Sequence, residues 1–426
     1  MSMIAARKED KLVNYLCMTG HICADINQGA LSATLPFLVM YDGYSYTAVA
    51  GLVFAANIAS AVIQPLFGAI GDHRACPWFM ALGVFLAGLG MCGIGFFDAY
   101  WTVLASAMVS GIGVAMFHPE GGRLSNLAAG ARKANGMSIF AVGGNIGFFV
   151  GPLMAAVFLT AFGMHGTLAF LFPTTICAIV LLAFNKRFLS LGIAKNSTTQ
   201  KDAKPERWGN FALAMGVLSC RSIVEYGLMA FIPLFFMSVL GQGETFGSLM
   251  LSVFAIAGAV ATAISGRITE RAGVFRIAYL CFGILALCLV AFAFNRSLVS
   301  AVVLVCLLTC AANLFYPSFV ALGMSYVPRH LGTASGISYG VVICVGGIVE
   351  PLLGMAGDAY GLPLVMLIIA SVTVIGLGMV AIVKRHNKQK RQEIPPRIKK
   401  GGALQSDAPF SRIATRPHAT STVLHF

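Results

Sequence analysis

Apolar runs of about 20 residues, each closed by a short polar break, recur along the chain from Lys11 to Lys384, and roughly twelve of them are long enough to cross a hydrocarbon layer as helices. Their bounds are near 12–40, 47–70, 77–97, 100–120, 136–163 and 166–185, then 209–240, 246–266, 275–294, 297–324, 334–357 and 362–383. The pattern predicts an all-α polytopic membrane protein with twelve transmembrane helices. It divides into a first six-helix bundle over 1–190, a basic linker over 191–208, a second bundle over 209–383 and a basic tail over 384–426.

The two groups of six match each other at an offset of 197 to 200 residues. His21 and Asp25 fall on Arg221 and Glu225; Gly68 and Asp72 fall on Gly266 and Glu270; Phe117-His118-Pro119 falls on Phe315-Tyr316-Pro317. Gly136 and Ser138 match Gly336 and Ser338, and Gly151-Pro152 matches Glu350-Pro351. Duplicated, pseudo-symmetric six-helix bundles are the architecture of secondary transporters, which rock one half against the other around a midplane site.

Composition agrees: 58% of the 426 residues are hydrophobic and 11% charged, against about 25% charged in soluble proteins. No stretch remains for a folded catalytic domain, so an enzyme is not expected. The net charge of +13 suggests nucleic acid only if it forms one soluble face. With the N-terminus cytoplasmic, all but two of the 29 Lys and Arg fall on the cytoplasmic side, the exceptions being Arg296 and Arg221. Both termini are therefore expected inside, in a cell inner or plasma membrane, with no nucleic-acid partner. The tail carries Lys384, Arg385, Lys388, Lys390 and Arg391 just past the last span, where anionic lipids attract basic residues by about 1 kcal/mol each. Its Ser, Thr, Pro and Ala content past Gly401 predicts disorder. The charged residues before the long first span argue against a cleaved signal. The eleven cysteines form no C-x-x-C pair and imply neither disulfide nor metal framework.

The break after the second span reads Gly68-Ala-Ile-Gly-Asp72-His-Arg74, and that after the eighth reads Gly266-Arg-Ile-Thr-Glu270-Arg271-Ala-Gly273. Glycine permits a tight turn and close helix approach, and the acid can cap a neighbouring helix N-terminus, so both loops are expected to latch one conformation. Both resemble the G-x-x-x-D-R-x-G signature of the major facilitator superfamily. His73 before Arg74 and Pro77 in place of glycine depart from that signature and predict a weaker first latch.

Within the superfamily, four segments resemble the fosmidomycin-resistance type of drug exporter: His21-Ile-Cys-Ala-Asp25-Ile-Asn-Gln28, Gln64-Pro65-x-x-Gly68, Phe117-His118-Pro119-Glu120-Gly-Gly-Arg123, and Val142-Gly143-Gly144-Asn145-x-Gly147-x-x-x-Gly151-Pro152. The resemblance implies efflux of small molecules driven by proton entry and leaves the substrate open.

Ionisable residues inside the spans point the same way. Each acid or Arg at mid-span costs about 2.5–3.5 kcal/mol on insertion scales, so such residues face a cavity or one another. His21 and Asp25 share a helix face with Gln28 beyond them, and Arg221 and Glu225 repeat the spacing. Arg221 is expected to pair with Glu225 or, across the halves, with Asp25. With Glu350 there are three acids against one fixed positive charge, leaving Asp25 and Glu225 to take protons from outside and release them inside. The alternative is a buried ion pair that only fixes packing.

His21, Gln28, Asn57, Gln64, Asn145 and Asn313 are candidates for substrate contact or for interhelical hydrogen bonds. Gly147, Gly151 and Pro152 are expected to set close packing and bending of the fifth span. Pro119 is expected to end or kink the fourth span, leaving His118, Glu120 and Arg123 at the cytoplasmic edge, beside the Gly68 to Arg74 loop. A third metal ligand beside His118 and Glu120 is not evident, so no metal or other cofactor is expected. The readings kept open are a proton-coupled exporter of small amphipathic or polar compounds such as antibiotics, a proton-coupled importer of an organic acid or sugar, and a non-transporting membrane receptor or scaffold. A monomer is expected.

Overall fold

A computed structural model describes residues 9–192 and 205–392. Arg7, Lys8, linker residues 193–204 and tail residues 393–426 lie outside the described residues. Every regular element among those described is helical. The first half comprises α1 (Lys11–Asp42), α2 (Tyr46–His73), α3 (Trp78–Ile94), α4 (Tyr100–Ala128), α5 (Lys133–Phe162) and α6 (Leu171–Ala183), the last entered through a 3-10 stretch, Gly163–Phe170. The second half comprises α7 (Trp208–Ser238), α8 (Glu244–Ala272), α9 (Val274–Ala293), α10 (Leu298–Tyr326), α11 (Leu331–Tyr360) and α12 (Leu362–Gln392).

Among the described residues nine helical stretches are long and apolar enough to cross a membrane, α5 and α6 being counted as one. α3 is a shorter apolar helix, and α1 carries the buried polar residues Asn14, His21, Asp25 and Asn27. With α1, α3 and α6 taken separately, the helices match the twelve expected spans. Local chemistry sets several ends: Asp10 caps α1 through the Val13 N–H at 3.2 Å, Ser45 caps α2 through the Ala48 N–H at 3.2 Å, and Gly43 closes α1 at φ 67°.

Two ends differ from expectation. α4 passes through Pro119 and continues to Ala128. A proline removes one backbone donor, and every residue from Gly113 to Ala128 is buried, so packing on all sides outweighs the loss. α12 continues past Lys384 to Gln392, taking in the start of the expected tail. Lys384 there sits over the Tyr279 ring at 5.1 Å and Asn387 accepts from Arg207 at 3.3 Å.

Within the first half, α5 lies on α1 through glycines. A methyl group at Gly143, Gly147 or Gly151 would stand 2.5, 2.7 and 2.2 Å from the carbonyl oxygens of Met18, Ile22 and Ile26. Between halves, α2 meets α11 and α5 meets α8. A methyl at Gly68 would lie 2.3 Å from the Gly332 oxygen, and one at Gly266 would lie 2.4 Å from Asn135 Cα. The halves therefore touch backbone to backbone at the end that holds the α2–α3 and α8–α9 loops.

Candidate functional site

Asp25 sits mid-helix in α1 with His21 one turn earlier, and α4 brings His118 against the same carboxylate. His21 Nε2 is 3.1 Å from Asp25 Oδ2, and His118 Nε2 is 3.1 Å from Asp25 Oδ1, without the angle of a hydrogen bond in the second case. All three residues are 3% exposed. His21 Nδ1 lies 2.7 Å from the carbonyl oxygen of Phe140. A carbonyl only accepts, so Nδ1 carries a hydrogen there, and Nε2 of a neutral ring then turns a lone pair toward the carboxylate. The 3.1 Å contact is attractive only with a further proton shared between His21 and Asp25. Gly144 of α5 keeps this contact uncrowded, since a methyl there would stand 2.8 Å from His21 Nε2 and 2.9 Å from Asp25 Oδ2.

The third ligand-type group that was not evident beside His118 is thus Asp25, with His21, and the three ligand atoms lie within 4.8 Å of one another. Such a set can hold a metal. The 3.1 Å approach of His21 Nε2 to Asp25 Oδ2 is also that of two groups with a proton between them.

The second half repeats the arrangement with other residues. Arg221 Nη2 is 3.3 Å from Glu225 Oε1 on α7, and donates to Asn313 Oδ1 at 2.8 Å, while Nε donates to the Ala312 carbonyl at 3.1 Å. Asn313 Nδ2 donates to Glu225 Oε1 at 3.2 Å. Tyr316, the counterpart of His118, lies under the guanidinium at 4.3 Å. Here the positive charge is permanent, with Nε and Nη2 held by Ala312, Asn313 and Glu225. Arg221 pairs with Glu225; the expected alternative pairing with Asp25 does not form, because Asp25 is held by the two histidines.

Rings join the two clusters. Tyr316 meets Tyr339 of α11 at 6.3 Å between centroids, and Tyr339 stands 5.8 Å from His118, 5.9 Å from His21 and 5.5 Å from Phe140. Nothing in the sequence reading singled out Tyr339. A signal existed: at an offset of 199 it is the repeat partner of Phe140.

Asp72 and Glu270 fall in the last turns of α2 and α8, not in loops, and each caps a helix of the opposite half. Asp72 Oδ1 accepts the Gly332 N–H at 2.7 Å, and Oδ2 accepts the Thr333 N–H and hydroxyl at 2.8 Å each, at the start of α11. Glu270 Oε1 accepts the Asn135 N–H at the start of α5 at 3.2 Å, and Oε2 faces Arg132 Nε at 3.5 Å. Contrary to the expectation from Pro77, the first latch has the more numerous and shorter bonds, because the acid works through α11 and not through the residues after it. Arg74 and Arg271 are exposed and form no ion pair among the described residues.

A sequence profile of the Major Facilitator Superfamily matches residues 17–351. The chain belongs to the major facilitator superfamily. It is 29% identical over 372 residues to an uncharacterised transporter of this superfamily from Bacillus subtilis (strain 168), covering 84% of this chain and 89% of that one. It is 27% identical over 382 residues to the fosmidomycin resistance protein of Escherichia coli (strain K12), covering 87% and 92%. Among solved structures, the superfamily transporter FucP in its outward conformation shares the fold with a TM-score of 0.70 at 13% identity, covering 88% of this chain and 98% of that one. The protein is thus a multi-pass membrane transporter of small molecules and not an enzyme.

Against this superfamily fold, the remaining predicted residues take varied places. Gln64 of α2 is buried, bonded to Ser60 Oγ at 2.9 Å and pressed on Gly340. Asn145 crosses the halves, donating to Thr262 Oγ1 at 3.0 Å. Gln28 and Glu350 are half-buried, and Asn57 is exposed. His118 is not at the helix edge beside the α2–α3 loop. Glu120 and Arg123 do lie there, bonded twice at 2.8 and 2.6 Å, with Glu120 Oε2 2.9 Å from a methyl built at Gly71. His118 is set deeper because α4 continues past Pro119.

Proposed function

We propose that this transporter is a proton-coupled antiporter of the cell inner membrane, with both termini cytoplasmic, which exports small amphipathic or polar compounds, antibiotics among them, by alternating access. The observation that carries the reading is Asp25 held between His21 and His118 at 3.1 Å on each side, buried, with His21 oriented by the Phe140 carbonyl. The positive-inside bias supports the orientation, which makes the latched end the cytoplasmic one. The likeness to the fosmidomycin resistance protein supports export.

The cluster exchanges a proton in three atoms' reach: His21 Nε2, Asp25 Oδ2 and, on the other side of the carboxylate, His118 Nε2. Loading from outside raises its charge by one, and unloading inside restores it. Cargo that favours the unloaded cluster is then released when the proton arrives. Glu225 is the second acid; protonating it would release Arg221 Nη2 from the carboxylate and leave the cation to Asn313 and Tyr316. One charge moved through 150 mV is worth about 3.5 kcal/mol, enough for a gradient of about 300-fold per proton. Arg221 has Nε and Nη2 engaged by Ala312, Asn313 and Glu225, which disfavours a substrate carboxylate on that side of the guanidinium.

A susceptibility panel on cells with and without the gene, repeated with Asp25→Asn and Glu225→Gln, tests the reading. Export predicts tolerance to some compounds that Asp25→Asn removes. Accumulation driven by an inward proton gradient in vesicles would instead identify an importer, and a panel unchanged by the gene and by both variants would favour a receptor or scaffold.

A further inference from the structure

The histidine–aspartate cluster belongs to α1 and α4, yet the side chain that covers it comes from the other half. Tyr339 stacks on His118 at an interplanar angle of 19° and meets His21 edge-on at 88°, and its ring edge passes over Gly122 of α4, where a methyl would stand 3.5 Å from Cε2. One turn earlier, Ser335 donates to the His118 carbonyl at 3.1 Å. The backbone beneath Tyr339 is wedged by α2 on both sides: a methyl at Gly336 would lie 2.5 Å from the Gln64 oxygen, and one at Gly340 would lie 3.0 Å from Gln64 Cβ. Tyr339 is 4% exposed, and its hydroxyl is buried without a hydrogen-bond partner among the described residues.

Depth gives this cover a direction. Tyr339 is eight residues into α11, whose first turn is capped by Asp72, whereas Asp25 is fourteen residues into α1, which starts at the same end. At 1.5 Å per residue these are depths of about 12 and 21 Å. The tyrosine thus stands between the latched end and the carboxylate. The groups facing the cluster are Tyr339 of α11, Phe117 of α4, and the Phe140 ring and Gly144 of α5, none of which is charged. Tyr339 is also carried on a π turn, Ile337–Val341, the one such turn among the described residues, and single π turns inside helices mark places where a helix is built for function or for shift.

Resting on the proton-site reading above, we infer that Tyr339 is the stopper that separates the His21–Asp25–His118 site from the latched end, so that protons pass to that end only when α11 withdraws with the second half. The ring makes the seal, and a hydroxyl held in the closed state without a partner favours the ring's leaving once the latch opens. Tyr339 is a positioning residue in this scheme; it does not itself carry the proton.

The test needs no cargo. Full-length protein is reconstituted into phosphatidylethanolamine–phosphatidylglycerol vesicles containing a trapped pH dye, and proton entry is driven by a potassium–valinomycin potential. Tyr339→Ala is expected to speed proton entry by on the order of tenfold, as the fraction of molecules with an open path rises. Tyr339→Phe keeps the ring and is expected to restore the seal. Asp25→Asn added to Tyr339→Ala is expected to return entry to the wild-type rate. Tyr339→Leu, a smaller apolar stopper, carries the test should the alanine variant not fold, with a leak expected there too. Vesicles as tight with Tyr339→Ala and Tyr339→Leu as with wild type would overturn the assignment, as would an unchanged leak in the Asp25→Asn double variant. The two readings fail separately: proton-driven transport that survives Asp25→Asn alone removes the proton site, whereas tight Tyr339 variants in a chain that needs Asp25 remove only the stopper.

Discussion

The carboxylate of Asp72 receives both the backbone N–H and the hydroxyl of Thr333 at 2.8 Å, joining the last turn of a helix in one half to the first turn of a helix in the other. Hydrogen bonds to a charged group contribute about 1.5–3 kcal/mol. Asp72→Asn, which keeps shape but loses charge and one acceptor, is therefore expected to open the latched end more often. Hydrogen–deuterium exchange of the 331–341 backbone should become at least several-fold faster. Glu270→Gln, with bonds of 3.2 and 3.5 Å, is expected to change exchange at the start of α5 less. Equal effects would contradict the ranking.

Gly147 of α5 and Gly347 of α11 lie in equivalent helices of the repeat but in different surroundings. A methyl at Gly147 would meet Asp25 Cβ and the Ile22 oxygen at 2.7 Å, whereas one at Gly347 meets nothing within 4 Å. Gly147→Ala is expected to cost about 1–3 kcal/mol, the usual range for overpacking. Gly347→Ala should be neutral or stabilising by up to about 1 kcal/mol, from reduced chain freedom in the unfolded state. Thermal unfolding in detergent would show a lower midpoint for the first and none for the second.

Arg221 and Glu225 should behave as a unit. Removing one member of a buried pair typically costs about 3–5 kcal/mol because the other charge is stranded. Arg221→Gln alone is expected to destabilise strongly, and Glu225→Gln added to it to recover most of the loss. A double-mutant cycle by thermal unfolding reads this directly. Additive losses would mean that the Asn313 and Tyr316 contacts, and not the carboxylate, hold the guanidinium.

Cys76 lies in the α2–α3 loop, and burial pushes its thiol above the ordinary cysteine value, with Glu120 adding to the rise and Arg123 and Arg74 opposing it. A raised value lowers the thiolate fraction at any given pH, and only the thiolate reacts. Maleimide modification of the Cys76 peptide, followed by mass spectrometry from pH 7 to pH 10, should therefore still be accelerating above about pH 8.5, where an unperturbed thiol begins to level off. A plateau at the ordinary value would show that the loop does not bury the thiol.

Much of this protein was legible along the chain. Spans could be counted because lipid demands about 20 apolar residues per crossing, and the two halves could be aligned because a duplicated bundle repeats its rare polar residues. His21 with Asp25 and Arg221 with Glu225 were legible as pairs because four residues is one helical turn. The partner of His118, the role of Tyr339, the stronger of the two latches and the different crowding at Gly147 and Gly347 were not. Spacing within one helix fixes which side chains share a face. Which faces of two helices meet, and at what depth, depends on how ridges, glycines and kinks settle across all twelve at once, and that is decided only by packing.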